Sequence, residues 1–127
     1  MVEWNQQWTI RAPVLVLNIG KKFYDYKHLV NETYQYDTGQ AVAMMVTEAV
    51  NQRLIGHQMG GFSAAKAIEL FDIPEDYRPI SVTAFGYYGN PELLPEEIRK
   101  SEFEDRKRRQ LNDTVFAVRF GKTSGLF

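Results

Sequence analysis

The sequence contains no cysteine and only two histidines, His28 and His57. Without cysteine the protein forms neither disulfides nor thiolate sites for zinc or iron–sulfur clusters, and it has no thiol nucleophile. Two imidazoles are too few for a multi-histidine metal site. The composition therefore predicts a protein without a metal centre.

The chain also lacks long apolar runs and an excess of one charge. No run approaches the roughly 20 residues that a bilayer span needs. Because no signal-peptide pattern opens the sequence either, we expect a cytoplasmic protein. The 15 basic and 16 acidic residues leave a formal net charge of -1. That balance points neither to nucleic acid nor to an anionic membrane.

The apolar content is sufficient for one folded domain. Of 127 residues, 44% are hydrophobic and 13% are aromatic, so we expect a single domain over 1–127. Apolar runs and helical spacing predict a mixed α and β protein, whereas residues 1–12 show no clear period. The predicted strands are 14–19, 80–87 and 115–120, and the predicted helices are 40–55, 64–71 and one within 95–109.

The strongest predicted helix follows Asp37, a residue suited to capping a helix N-terminus. Neither proline nor glycine occurs from Gln40 to Ile55, and Gly56 suits the position just after a helix end. Residues 41–46 are all apolar, so this half of the helix has no polar face. We therefore expect it to be buried on all sides, in a larger core or against another subunit.

A glycine pair lies in the predicted loop 56–62. Gly60 and Gly61 carry no β-carbon, so a flat ligand can approach their backbone closely. The amides that open the next helix, capped by Ser63, suit an electron-rich acceptor such as a flavin carbonyl or ring nitrogen. An ordinary turn between two helices explains the same residues and is the more common outcome.

A basic run, Arg106-Lys107-Arg108-Arg109, is the second candidate site. Arginine pairs bind phosphate in bidentate geometry. A solvated helix end, whose cations complement the helix dipole, explains the run equally well. Hydrolytic chemistry is not indicated, because Ser63 lacks the turn that exposes a nucleophilic serine.

Several short stretches follow one another in a specific order and spacing over nearly the whole chain. They are Trp8–Leu17 with Ala12-Pro13, Tyr36–Ala41, Ala49–Phe62 with its His57-Gln58-Met59-Gly60-Gly61-Phe62 end, Ile73-Pro74, Ala84–Tyr87, Leu94-Pro95 and Arg106–Leu111. Together they resemble the C-terminal part of the nitroreductase family, which are FMN-dependent NAD(P)H oxidoreductases. Gln110 stands where that family usually has proline.

The resemblance implies an α+β fold with a mixed central sheet flanked by helices, from which the N-terminal part of the family's fold is missing. It implies a long buried helix at a homodimer interface and FMN in a cleft between subunits. The backbone of Gly60 and Gly61 would meet the N5/O4 edge of the flavin, and Gln58 and Met59 would line the ring. Arg106 and Arg108 would hold the FMN phosphate.

The implied mechanism is ping-pong, with hydride passing from NAD(P)H to flavin N5 and then electrons to a nitroaromatic or quinone-like acceptor. No side chain is predicted to be catalytic. A truncated, non-catalytic dimeric remnant without flavin is the main alternative, and a complementary N-terminal half is the alternative partner. A generic nucleotide-binding domain ranks last, because the G-x-G-x-x-G pattern is absent.

Overall fold

A computed structural model describes residues 1–125; Leu126 and Phe127 lie outside the described residues. These residues form two compact units, one over Met1–Pro95 and one from Glu96 onward. The first unit contains α1 (Glu3–Thr9), β1 (Val14–Lys21), α2 (Tyr34–Asn51), β2 (Ile55–Met59), α3 (Ala64–Leu70), β3 (Tyr77–Gly86) and a 3-10 turn, Pro91–Leu93. The second contains α4 (Glu96–Glu102) and a 3-10 turn, Leu111–Asp113.

The sheet of the first unit has the strand order β1-β3-β2. Both pairings are antiparallel, so the sheet formed by the described strands is antiparallel and not mixed as expected. The register of β1 against β3 shifts between Asn18 and Ile19, opposite Ser81 and Pro79. Proline cannot donate a ladder hydrogen bond, and a bulge is where a strand tolerates it. The central strand therefore begins before Pro79, three residues earlier than predicted.

The two faces of this sheet are covered by different elements. On one face lies α2, because a β-carbon added at Gly20 would meet Tyr34 and one added at Gly56 would meet Val46. On the other face Met59, Val82 and Ala84 form the buried cluster. Trp8 of α1, Leu17 and Phe62 are among the side chains packed against that cluster.

The ends of α2 differ from the prediction. The helix begins at Tyr34, and Asp37 lies in its first turn, where its carboxylate interacts favourably with the positive end of the helix dipole. It ends at Asn51 in a Schellman motif, in which the Leu54 amide donates to Ala49 O and the Arg53 amide to Val50 O. Arg53, at φ 64°, occupies the left-handed position expected of glycine, so Gly56 is not the capping residue.

The apolar half of α2 is not buried on all sides within the described chain. Val42 is buried and Met45 and Val46 are half-buried, but Met44 is 75% exposed. The inward residues recur at helical spacing, which is typical of a helix packed on one sheet face. Burial of the outward side of α2 would therefore need another surface, such as a second subunit, and this stays a prediction.

Two other segments depart from the prediction. Residues 56–59 of the predicted loop 56–62 belong to the strand β2. Pairing with β3 stabilises this strand, although its Gly-His-Gln sequence has little preference for a strand. The predicted strand at 115–120 is not a strand: within residues 1–125 its one bridge joins Phe116 to Thr123, and Val118 has a φ of 70°. Val118 and Phe120 are 90% and 94% exposed. A strand is stabilised by a paired neighbour, and the described residues offer this segment no ladder.

The helices α3 and α4 confirm their predictions. Ser63 caps α3, with its side chain accepting a hydrogen bond from the Lys66 amide at 3.2 Å. The charged stretch 95–109 contains α4, whose acidic first turn and basic last turn match the helix dipole. Among residues 1–125, no helix combines the length and the apolar character needed to cross a membrane.

Candidate functional site

Four of the predicted site residues lie together at the end of the edge strand β2. Gln58 is exposed and shares a strand face with Gly56, the face that α2 covers. Met59 points the other way and is 4% exposed, against Val82 and Ala84. The Met59 side chain is therefore a core residue that anchors the strand end, and its backbone is what remains for a ligand.

The glycine pair follows directly after β2, and its two members have different surroundings. A β-carbon at Gly60 would meet nothing within 4 Å, whereas one at Gly61 would lie 2.8 Å from Asn5 Nδ2 and 2.9 Å from Val2 Cγ2. Neither glycine has a positive φ. Their role is thus close approach and not an unusual backbone conformation. Gly61 makes room for α1, and Gly60 leaves the opposite side open.

The carbonyl groups of the pair are satisfied within the chain, but the amides are not. Gly60 O accepts from the Phe62 amide at 3.0 Å, and Gly61 O accepts from the Val2 amide at 2.9 Å. Among the described residues, neither the Gly60 nor the Gly61 amide donates a hydrogen bond outside the sheet. Two neighbouring donors without an acceptor suit an electron-rich ligand atom.

The contribution of α1 to this site was missed by the sequence analysis. Trp8 contacts His57 of β2 edge to face, with ring centroids 4.8 Å apart. Asn5 Nδ2 donates to Gly61 O at 3.3 Å. The signal that could have revealed the helix is the spacing of Trp4 and Trp8, since residues four apart lie on one helix face.

Arg106 and Arg108 belong to the second unit and lie in an irregular, exposed segment after α4. The basic run is therefore not a helix end, as one interpretation had it. Arg108 Nη1 donates to Lys107 O at 3.0 Å. No carboxylate of residues 1–125 forms an ion pair with either arginine. Both guanidinium groups are accessible to an anion.

The clearest electrostatic perturbation lies away from these residues. Lys21 donates a hydrogen bond to Asp25, and this contact raises the pKa of the Lys21 ammonium group. Lys21 is the last residue of β1, and Asp25 lies in the connection between β1 and α2. The candidate ligand-binding groups are thus the backbone donors of the first unit and, separately, the accessible guanidinium groups of the second.

Comparison with solved structures gives the architecture a precedent. The chain superposes on a crystal structure described as an oxidoreductase containing FMN with a TM-score of 0.89 and 26% identity, covering 97% of this chain and 63% of that one. The chain has the nitroreductase fold. A nitroreductase family protein from Clostridium difficile 630 matches with a TM-score of 0.60 and 22% identity over 82% of this chain and 58% of that one. A nitroreductase family protein from Clostridium novyi NT matches with a TM-score of 0.52 and 16% identity, over 91% of this chain and 56% of that one.

Sequence comparison gives a relative without a known role. An uncharacterized 15.4 kDa protein in the ask 5' region of Mycolicibacterium smegmatis is 34% identical over 85 residues, or 67% of this chain and 57% of that protein. No family model matches the chain. The chain spans less than two thirds of the length of these proteins. The resemblance to nitroreductases is thus confirmed for the α+β nitroreductase-like fold.

Proposed function

We propose that this protein is an FMN-dependent oxidoreductase of the nitroreductase type. The observation that carries the proposal is the superposition of 97% of the chain on an oxidoreductase containing FMN. The neighbours with the same fold support an oxidoreductase class, and the finer assignment rests on the residues of the site. Bound FMN would supply hydride acceptance from NAD(P)H and electron donation to a nitroaromatic or quinone-like acceptor.

The residues after β2 fit the edge of a flavin. The unpartnered amides of Gly60 and Gly61 would donate to N5 and O4, since a planar ring can reach Gly60 from the side on which no side chain lies within 4 Å. The exposed Gln58 side chain would line the ring, together with the Met59 backbone. Donors fixed in place stabilise the charge that develops on an electron-rich acceptor.

Arg106 and Arg108 would hold the FMN phosphate. Guanidinium groups bind phosphate in bidentate geometry, and both side chains are exposed and free of ion pairs with carboxylates of residues 1–125. We also propose that no protein side chain acts as a catalytic acid. A cytoplasmic location stays a prediction.

The outward face of α2 supports a dimer. Its residues are uncharged and exposed, and a face of this kind is covered in a stable assembly. The residues on this face are Tyr36, Gln40, Ala43, Met44, Thr47 and Val50. We propose a second copy of the chain as the occupant, with a complementary N-terminal half as the alternative.

Titration with FMN tests the proposal, followed by both absorbance and flavin fluorescence. The wild-type protein is expected to bind FMN and then to oxidise NAD(P)H with a quinone acceptor. The double variant that carries both Arg106→Gln and Arg108→Gln should bind FMN about tenfold or more weakly, because charge-assisted bonds to phosphate are lost. The double variant Lys107→Gln with Arg109→Gln removes the same charge and serves as the matched control.

A dimeric protein that binds no flavin is the second candidate. The observation that favours it is the exposed, uncharged outward face of α2, which a second subunit would cover whether or not flavin is bound. Under this hypothesis both double variants behave like wild type, and added FMN remains free in solution. Equal effects of the two double variants on FMN affinity would contradict the assignment of Arg106 and Arg108.

A further inference from the structure

The connection from β1 to α2 contains a short hairpin over residues 22–31. The Asn31 amide donates to Lys22 O at 2.8 Å, and the Tyr24 amide donates to Leu29 O at 2.8 Å. These bonds pair the two arms of the hairpin with each other. Because its backbone is already ordered, the hairpin gives up little conformational freedom when its side chains bind a partner surface.

The hairpin exposes several apolar and aromatic side chains close together. Tyr26 is 69% exposed, Val30 58%, Leu29 53% and Tyr24 48%. A single exposed apolar side chain is common on a protein surface, but several neighbouring ones form a patch, and such patches mark interaction sites. The hairpin 22–31 is therefore a candidate interaction surface.

Two lysines without a carboxylate partner belong to the same hairpin. Lys27 Nζ lies 5.1 Å from the centroid of the Tyr26 ring, and Lys22 Nζ lies 5.9 Å from that of Phe23. Among the described residues, neither lysine forms an ion pair, and Asp25, the carboxylate of the hairpin, pairs with the last residue of β1. The hairpin thus combines two uncompensated cations with aromatic and aliphatic side chains.

The chemistry of these side chains favours a lipid surface over a protein. Lysine is depleted from the buried cores of protein–protein interfaces. At a bilayer the lysine stem lies along apolar groups while its ammonium group reaches lipid phosphate, and tyrosine is enriched at the same depth because its ring is apolar and its hydroxyl is polar. We propose that the hairpin 22–31 docks on an anionic lipid bilayer, with its aromatic and aliphatic side chains among the headgroups and with Lys22 and Lys27 on phosphate oxygens.

This contact with the bilayer is peripheral, since a hairpin whose lysines stay at the phosphates reaches only the headgroup region. The formal net charge of -1 hides the basic hairpin, because carboxylates elsewhere offset its two lysines in the sum. Docking through the hairpin does not require flavin, so its test is independent of the proposed function.

Sedimentation with lipid vesicles tests the contribution of charge. The protein should bind phosphatidylcholine vesicles that contain about one-third phosphatidylserine, bind pure phosphatidylcholine vesicles at least about tenfold more weakly, and lose affinity as salt is added. The double variant that carries Lys22→Gln and Lys27→Gln should bind about 25-fold more weakly, because each lysine near an anionic surface contributes about fivefold. The double variant with Lys66→Gln and Lys100→Gln removes two exposed lysines elsewhere and should change binding by less than about twofold.

A second pair of variants tests the contribution of the apolar side chains. The double variant with Tyr26→Ser and Leu29→Ser should bind the anionic vesicles about tenfold more weakly, because less apolar surface leaves water at the bilayer. Leu70→Ser with Phe71→Ser is the matched control, since these residues at the end of α3 are 74% and 62% exposed, and it should bind like wild type. Thermal unfolding without lipid checks that all four double variants fold.

The basic run Arg106–Arg109 also attracts anionic lipid, so NMR with spin-labelled lipid in anionic bicelles locates the contact. The spin label should broaden the amide signals of residues 24–29 more than those of residues 107–109. No binding to the anionic vesicles, equal losses in the two lysine pairs, or broadening confined to the basic run would overturn the proposal. A lower mass of the lipid-free variant with Tyr26→Ser and Leu29→Ser would also overturn it, because the hairpin would then contact a second copy of the chain.

Discussion

Adding one methyl group to each glycine of the pair should separate stability from flavin binding. Gly60→Ala and Gly61→Ala introduce the same atom at neighbouring positions, and neither backbone has a positive φ that would strain an alanine. The surroundings alone differ. Each variant therefore serves as the other's control.

At Gly61 the added carbon would lie 2.8 Å from Asn5 Nδ2 and 2.9 Å from Val2 Cγ2. The Asn5 amide can rotate away only by giving up its bond to Gly61 O, and the branched Val2 side chain is stiff. Overpacking of this kind costs about 1–3 kcal/mol. Each kcal/mol lowers the midpoint of thermal unfolding by roughly 3–6 °C in a chain of this size.

At Gly60 the same carbon meets nothing within 4 Å, so the free energy of unfolding should change by no more than about 0.5 kcal/mol. The methyl group occupies the open side that a flavin ring would need, and FMN affinity should fall by about tenfold, or 1.4 kcal/mol. Thermal unfolding without flavin and FMN titration measure the two quantities. Equal thermal shifts in both variants, or wild-type FMN affinity in Gly60→Ala, would refute the reasoning.

Two further changes test the surroundings of α2. Met44→Glu places a charge on the exposed outward face and should shift a dimer toward monomer by at least about tenfold, measured by light scattering. Gln7→Glu, which adds the same charge at an exposed position on α1, is the control; an unchanged mass in Met44→Glu would contradict the dimer proposal. Arg53→Gly should raise the free energy of unfolding by about 0.5–1 kcal/mol in urea titration, because glycine adopts φ 64° without the steric cost that arginine incurs. A lower stability there would count against the Schellman assignment.

Elements with strong local signals could be predicted from the sequence. The β-branched run of β1, the apolar central strand β3 and the Ser63 cap of α3 all follow from residues within a few positions of each other. The length of α2 was predictable for the same reason. Its ends were not, because Arg53 adopts a conformation usually left to glycine.

The edge strand β2 could not be predicted, since its Gly56-His57-Gln58 sequence has little intrinsic preference for a strand. Pairing with β3 supplies the order. The opposite error occurred at 115–120, where a strand composition finds only one bridge, Phe116 to Thr123, among the described residues. In both segments the deciding interaction is tertiary, so a local pattern carries too little information.

The candidate site shows the same limit. The glycine pair and its suitability for a planar ligand follow from the sequence, but the difference between its two members does not. That difference depends on Asn5 and Val2, and the bond from Asn5 to Gly61 joins residues 56 positions apart. The resemblance alone placed Met59 beside the flavin ring, and a thioether next to two glycines gives no local sign that β2 directs this side chain into the core.

The position of the glycine pair explains how a chain with so small a sheet can present a binding surface. From Val82 to Phe85, β3 lies between β1 and β2, and the ladders on its two sides take up its backbone donors, so none is left for a ligand. One residue beyond the ladder, Gly60 is exposed and water can satisfy its amide, which means that folding bears no cost for the missing partner. A ligand acceptor would replace that water at the exposed amide. The buried Met59 side chain and the hydrogen bond from Asn5 to Gly61 O hold this backbone in place. Among residues 1–125, the Gly60 amide next to them donates to no acceptor outside the sheet. The end of an edge strand can combine these two properties, and its interior cannot.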